Sequence, residues 1–172
     1  MALHASRFTL HPQKRVLGLG ALIKVLTRAR RGKKVVLTNG VFDLLHVGHV
    51  AYLEKAKSFG DVLVVAVNGD ASVRVLKGPT RPVNPAKARA QVLAGLRAVD
   101  HVTIFHGKRV TSVIRALEPD IYVKGGDYSV ATLNGEEREA LRKIGARIKI
   151  IPFVRGFSTT KTIKKMKKSH AR

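Results

Sequence analysis

Thr38-Asn39-Gly40-Val41-Phe42-Asp43-Leu44-Leu45-His46-Val47-Gly48-His49 is the stretch from which this chain is read. An apolar run, Lys34–Thr38, leads into it and predicts a first β-strand. Val47–Phe59 follows, where Val47, Val50, Ala51, Leu53 and Ala56 recur at helical spacing until Gly60 stops the pattern. Gly40 lets the chain turn sharply off the strand. The backbone N–H groups of Gly40, Val41 and Phe42 can face a phosphate as a nest. His46 and His49 are three residues apart, so in the first helical turn both imidazoles point toward the strand end. Gly48 between them lets a large ligand approach the backbone. Two imidazoles at a helix N-terminus suit a phosphate whose charge grows in a transition state. The same pair also suits a metal, with Asp43 the one further donor nearby, or plain capping of the helix. These residues alone leave the three readings open.

The alternation continues outward from this stretch. Asp61–Val67 is a β-branched run, as expected of a strand buried on both faces. Asn84 and Pro85 read as the N-cap and first residue of a helix reaching about Ala98. His101–Phe105 reads as a strand, Val110–Leu117 as a helix ended before Pro119, and Ile121–Lys124 as a strand. Gly135–Ile144 reads as a helix and Arg147–Pro152 as a fifth strand. A last helix begins near Ser158 and runs into a basic tail. The expected fold is α/β: a Rossmann-like three-layer α/β/α arrangement around a five-stranded parallel sheet. Ligands on such sheets sit at the carboxyl ends of the strands, where strand order reverses. The glycine- and histidine-rich segments all fall just after predicted strands, so one face should collect them.

Three further segments belong to that face. After the second strand come Asn68-Gly69-Asp70 and then Lys77-Gly78-Pro79-Thr80-Arg81-Pro82-Val83-Asn84-Pro85, in which Lys77 and Arg81 can reach phosphate oxygens or simply decorate an exposed loop. After the fourth strand comes Val123-Lys124-Gly125-Gly126-Asp127-Tyr128. Its paired glycines permit close backbone approach, Lys124 can neutralise phosphate, and Asp127 can accept sugar hydroxyls or bind a cation. Gly156-Phe157-Ser158-Thr159-Thr160-Lys161 opens the last helix with three hydroxyls, which cap it and, with its free N–H groups, can bind an anion.

The 172 residues suffice for one domain with a core. The absence of cysteine removes disulfides, thiolate metal sites and cysteine nucleophiles. No apolar run approaches the roughly 20 residues that span a bilayer. The formal charge of +22 sits largely at the ends, with no acid before Asp43 and none after Glu139. That field favours anionic ligands. Nucleic acid is not the expected partner, because aromatic residues are only 5% of the chain and most lie in apolar runs. Residues Met1 to Lys34 share their basic, acid-free composition with mitochondrial transit peptides. The recurrence of Leu19, Leu22, Ile23 and Leu26, stopped by Gly32, favours an amphipathic helix instead. The expected organisation is a basic arm and helix over 1–32, one domain over 33–168, and a basic tail over 169–172.

The Gly-x-Phe-Asp-x-x-His-x-Gly-His string resembles the cytidylyltransferase-like superfamily of nucleotidyltransferases, whose fold is shared by glycerol-3-phosphate cytidylyltransferase, archaeal FAD synthetase and phosphopantetheine adenylyltransferase. Joined to Lys-Gly-x-x-Arg-Pro-Val-Asn-Pro, Val-Lys-Gly-Gly-Asp-Tyr and Ser-Thr-Thr, it is similar to the adenylyltransferases acting on D-glycero-β-D-manno-heptose 1-phosphate, over roughly Lys33 to Lys168. In many bacteria that activity is the second half of a protein fused behind a sugar kinase, and this chain looks like the stand-alone form. The resemblance implies transfer of AMP from ATP to the sugar phosphate, with release of pyrophosphate. It implies His46, His49 and Lys77 as catalytic residues. Asn39, Gly40, Val41, Phe42, Gly48, Lys124, Gly125, Asp127, Ser158, Thr159 and Thr160 would join the two histidines on the nucleotide. Asp43, Asn68, Asp70 and Arg81 would hold the sugar phosphate. Mg²⁺ is expected through phosphate oxygens rather than a protein site, and a cytoplasmic homodimer without membrane contact completes the expectation. CTP with a polyol phosphate, or ATP with FMN, are the alternatives within the superfamily; a basic nucleic-acid-binding protein is the alternative outside it. The chain departs from the family at His106-Gly107-Lys108 and Arg155, where acids are the family's habit.

Overall fold

The computed structural model describes residues 15–126, 129, 131–152, 156–160 and 162–163. Eleven regular elements occur among them: α1 (Leu19–Ala29), β1 (Val35–Gly40), α2 (Val47–Lys57), β2 (Val62–Asn68), α3 (Asp70–Lys77), α4 (Ala86–Ala94), β3 (His101–Phe105), α5 (Thr111–Leu117), β4 (Ile121–Gly125), α6 (Gly135–Lys143) and β5 (Arg147–Ile151). The strands form one five-stranded parallel sheet in the order β3-β2-β1-β4-β5. Side chains of a strand alternate between its faces, and here the alternation divides two cores. Val35, Leu37, Val62, Val64 and Ala66 pack with α1, α5 and α6 through Leu22, Leu26, Ile114 and Leu141. Val36, Leu63, Val65 and Val67 pack with α2 and α4 through Leu53, Ala56, Ala90 and Leu93. Every residue of β2 is buried, which explains its unbroken apolar sequence.

Differences from the expected elements have local causes. α4 starts after Pro85 and ends at Ala94 with Gly95 as C-cap, short of Ala98. Asn84 is not its cap; its Nδ2 donates instead to the Asp43 carbonyl at 3.2 Å. The helix α3 occupies a stretch whose pattern predicted no element. It is only 8 residues long and buries just Ser72 and Val73, leaving Val75 and Leu76 exposed, so it carries no core-facing periodicity.

The order 3-2-1-4-5 reverses between β1 and β4. The chain leaves β1 toward β2 and β3 on one side and returns through β4 to β5 on the other. That reversal opens a crevice beyond the carboxyl ends of β1 and β4. At the opposite ends of the strands acids bind amides at the strand starts: Asp61 accepts from Lys34 N at 2.8 Å, Asp120 from Val35 N at 2.8 Å, and Asp100 from Leu63 N at 2.7 Å. Asp120 and Asp100 at these ends are themselves paired with Arg30 and Lys57.

Candidate active site

The crevice is a cavity of about 680 Å³. This lies within the roughly 300–1,000 Å³ of small-molecule sites. Its floor is Asn39–Asp43 from β1 and the turn after it, with Lys124 and Gly125 from β4. The turn is tight. Phe42 has φ 47, a left-handed conformation uncommon for a bulky residue, and its ring folds back over Gly40. A Cβ on Gly40 would lie 2.9 Å from that ring, so the glycine is required by packing.

The turn delivers the two imidazoles to the start of α2. Their centroids are 3.9 Å apart and their planes 26° from parallel, a stacked pair. The backbone N–H of His46 donates to His49 Nδ1 at 3.3 Å, which leaves Nε2 as the N–H of a neutral His49 ring. Burial, then the neighbouring His46, pushes His49 down to about 4. Burial also lowers His46, whose Nδ1 is buried with no hydrogen-bond partner among the described residues. Gly48 keeps the space beside that nitrogen open, since a Cβ there would stand 3.0 Å from His46 Nδ1 and 3.5 Å from Phe157 Cβ.

The opposite wall comes from the far end of the chain. Residues 159–160 and 162–163 are helical, and Thr162 N donates to the Ser158 carbonyl at 3.0 Å. Thr159 Oγ1 donates to the Leu44 carbonyl at 2.9 Å, tying this segment to the histidine turn across 115 residues. Phe157 stands 6.2 Å from the His46 ring. Ser158, Thr159 and Thr160 thus face the same cavity as His46 and His49.

Among the described residues, the cations Lys77, Arg81, Lys108, Arg109 and Lys124 line the remainder, with the carboxylates Asp43 and Glu137. Both carboxylates are engaged. Asp43 is buried and accepts from Arg81 Nε at 2.6 Å and from the N–H groups of Val83 and Asn84 at 2.9 Å. Burial pushes its carboxyl up, but the amides of Asn84 and Val83 and the Arg81 guanidinium outweigh this and hold it below the ordinary range. Glu137 lies 4.0 Å from Lys124 Nζ and accepts from the buried Tyr122 hydroxyl at 3.3 Å. Among the described residues no group of three or more histidine or acidic side chains is arranged to hold a metal ion. No helix among them is long and apolar enough to cross a membrane.

Residues 37–170 match the family described as cytidylyltransferase-like. The chain belongs to the cytidylyltransferase-like family. It is an enzyme of the nucleotidyltransferase class. The chain is 49% identical over 154 residues to the bifunctional protein HldE of Koribacter versatilis, covering 89% of this chain and 31% of that protein. It is 54% identical over 136 residues to the bifunctional protein HldE of Sulfurimonas denitrificans, covering 79% and 27%. It therefore spans under a third of the length of these curated relatives. A lipopolysaccharide core biosynthesis protein from Thermoplasma volcanium superposes with a TM-score of 0.60 at 30% identity, covering 72% of this chain and 98% of that one. A pantoate-beta-alanine ligase from Francisella tularensis, at 16% identity and a TM-score of 0.57, covers 81% of this chain and 67% of that one and shares the fold.

Within this family member, most residues expected from sequence line the one cavity: Asn39, Gly40, Val41, Phe42, Asp43, His46, Gly48, His49, Asn68, Lys77, Arg81, Lys124, Gly125, Ser158, Thr159 and Thr160. Asp70 does not. Its Oδ1 accepts from Arg89 at 2.7 Å and from Ala86 N at 2.9 Å, so it fastens α3 to α4. Asp43 lines the cavity, but its carboxylate is spent on Arg81 and the 83–84 backbone, so it acts on the loop rather than as a free acceptor. Asn68 is buried with its Nδ2 donating to Ser72 Oγ at 3.1 Å. Asp127 lies outside the described residues. Sequence reasoning missed Tyr52, Leu76, Lys108, Arg109, Glu137 and Phe157. Lys108 sits in the noted departure from the family and Phe157 in the hydroxyl segment, so both were within reach; Glu137 is one acid in a charged helix and gave no signal.

Proposed function

We propose that the chain transfers AMP from ATP to the phosphate of D-glycero-β-D-manno-heptose 1-phosphate, giving ADP-heptose and pyrophosphate. The observation that carries this reading is the Thr159–Leu44 hydrogen bond, which closes the histidine turn and the hydroxyl segment around one cavity. The acceptor and nucleotide are supported by the similarity of the segments at 77–85, 123–128 and 158–160 to heptose 1-phosphate adenylyltransferases. The names of the relatives, a bifunctional HldE and a lipopolysaccharide core biosynthesis protein, agree with it.

In this reaction an oxygen of the sugar phosphate attacks the α-phosphorus in line. The bond from that phosphorus to the bridging oxygen breaks, and its electron pair leaves with pyrophosphate. The attacking oxygen is already ionised near neutral pH, so no general base is needed. Catalysis is then positioning and charge stabilisation. His49, neutral at pH 7, donates through Nε2 to the α-phosphate beside His46. The amides at Gly40–Phe42 and the glycines Gly48 and Gly125 let the nucleotide lie against the backbone. Lys77 and Lys124 offset phosphate charge, Ser158–Thr160 hold the departing pyrophosphate, and Arg81, braced by Asp43, serves the acceptor phosphate. Among the described residues the cavity carboxylates Asp43 and Glu137 are committed to cations and amides, and the Mg²⁺ would enter with ATP, held by its phosphate oxygens, as part of the substrate.

The test is pyrophosphate release with ATP or CTP against heptose 1-phosphate, glycerol 3-phosphate and FMN. ATP with heptose 1-phosphate is expected to be the best pair by kcat/KM. Preference for CTP with the polyol phosphate, or for ATP with FMN, would move the assignment elsewhere in the family. Absence of turnover with salt-sensitive binding of nucleic acid would remove it altogether.

A further inference from the structure

Among the described residues, Glu137 is the cavity-lining carboxylate for which the reaction above has no use. It projects from α6, is 5% exposed, and belongs to a charged helix whose other acids, Glu136 and Glu139, are not buried. A carboxylate is rarely buried unless paired, and the pairing here leads into the site. Its Oε2 is 4.0 Å from Lys124 Nζ and 3.3 Å from the Tyr122 hydroxyl. That hydroxyl is also 2.7 Å from Asn39 Oδ1, and Lys124 Nζ lies 5.6 Å from the Tyr122 ring centroid. One acid on a helix behind the sheet thus stands beside Lys124, the last polar side chain of β4, and beside the hydroxyl whose one proton is shared with Asn39, the last polar side chain of β1. Those side chains, Asn39 and Lys124, form the cavity floor on either side of the strand-order reversal.

We propose that Glu137 is a positioning residue, which pairs with the Lys124 ammonium and so holds it facing the bound phosphates in fixed orientation. This rests on the reaction assigned above for what Lys124 touches, but the pairing itself is a property of the ligand-free protein. Among the described residues, Lys124 faces Glu137 on α6 and Arg109 on the loop after β3. Burial lowers the Lys124 ammonium first, Glu137 raises it, and Arg109 lowers it. Removing the Glu137 charge takes away this raising influence, while burial and Arg109 continue to favour loss of the proton. A Glu137 that merely filled space would have no such effect when replaced by its isostere.

The experiment compares Glu137→Gln, Glu137→Asp and Tyr122→Phe with the unaltered chain by two readouts. The first is titration of the Lys124 ammonium by NMR in the ligand-free protein, with the signal assigned by its loss in Lys124→Met. Glu137→Gln is expected to move that titration to lower pH by about one unit, and Glu137→Asp to restore part of the shift. Tyr122→Phe is expected to leave it nearly in place. The second is kcat/KM for ATP with heptose 1-phosphate, expected to fall about tenfold or more in Glu137→Gln, with the alkaline limb of the profile displaced in the same direction. A folded Glu137→Gln whose Lys124 titrates as in the unaltered chain overturns the proposal. If Glu137→Gln does not fold, Glu137→Asp decides by the same titration: an unmoved Lys124 signal overturns the proposal, and a smaller downward shift supports it. Lack of turnover in the unaltered chain on every acceptor would sink the assigned reaction and leave the titration to decide Glu137 alone.

Discussion

Thr159 Oγ1 donates to the Leu44 carbonyl at 2.9 Å, so the segment that opens the last helix is fastened to the turn that carries both imidazoles. The contact joins parts of the chain 115 residues apart and shapes the cavity between them. A net hydrogen bond of this kind contributes about 1 kcal/mol, a small share of total stability. Its geometric effect on a site that works by positioning is larger. Thr159→Val should shift the urea midpoint only slightly while lowering kcat/KM by about tenfold or more. Thr159→Ser, which keeps the hydroxyl, should recover most of the activity. A Thr159→Val enzyme with unaltered kinetics would show the link to be dispensable.

The Asp43–Arg81 pair presents the opposite balance. Asp43 is buried, Arg81 is nearly so, and the carboxylate also holds the amides of Val83 and Asn84. Removing one partner of a buried pair leaves the other charge uncompensated, at a cost of about 3–5 kcal/mol. Asp43→Ala should therefore lower the melting temperature markedly and raise KM for the acceptor, because Arg81 loses its brace. The carboxyl is held below its ordinary value in the folded state, so its contribution is present above that ordinary value and fades as pH falls through the lowered one. Thermal melts of Asp43→Ala and the unaltered chain should converge in strong acid and differ most near neutrality.

The imidazole pair makes a prediction with the same sign. His49 is pushed down to about 4 from the ordinary 6.5, so the unfolded chain takes up this proton first on acidification. The stabilisation from a neutral His49 is complete above about pH 6.5 and is lost as pH falls toward 4. Urea midpoints measured at pH 7 and pH 5 should fall less between those values in His49→Asn than in the unaltered chain. His46 and His101 are also lowered by burial, so part of the acid loss persists in the variant. At neutral pH, His49→Ala should reduce turnover by about 10²–10³-fold with the fold retained. Equal acid sensitivity in both proteins would mean that the ring is not held neutral.

Much of this architecture was legible because the residues that carry it do one thing each. The β-branched run at Asp61–Val67 reads as a strand buried on both faces, which Val62–Asn68 is, and the alternation around it points to a parallel sheet with a crevice where the order reverses. His46, His49 and the hydroxyls at 158–160 fall just after elements, and topology brings them together. α3 was illegible because it buries two residues and leaves two apolar ones in solvent. The destinations of Asp43 and Asp70 were illegible for a different reason. A carboxylate after a strand reads the same whether it awaits a sugar or clamps a loop, and only the positions of Arg81 and Arg89 decide. Glu137 carried no sequence signal because its partners, Tyr122 and Lys124, lie on a strand that only the fold brings beside it.

Gly48 separates stability from activity at a single position. It is the second residue of α2, where alanine favours the helix over glycine by up to about 1 kcal/mol. The backbone there needs no glycine conformation, since its φ is not among the positive values. What excludes a side chain is the imidazole: a Cβ would press to 3.0 Å from His46 Nδ1 and 3.1 Å from Cε1, with Phe157 at 3.5 Å behind it. The ring must give way, and with it the stacked arrangement against His49. Gly48→Ala should thus melt at the same temperature as the unaltered chain or slightly above it, yet turn over about tenfold or more slowly, with kcat falling at least as much as KM rises. An active Gly48→Ala enzyme would mean that the His46 ring can be displaced without consequence. An inactive variant that is also unfolded would place the constraint in α2 itself rather than in the ring.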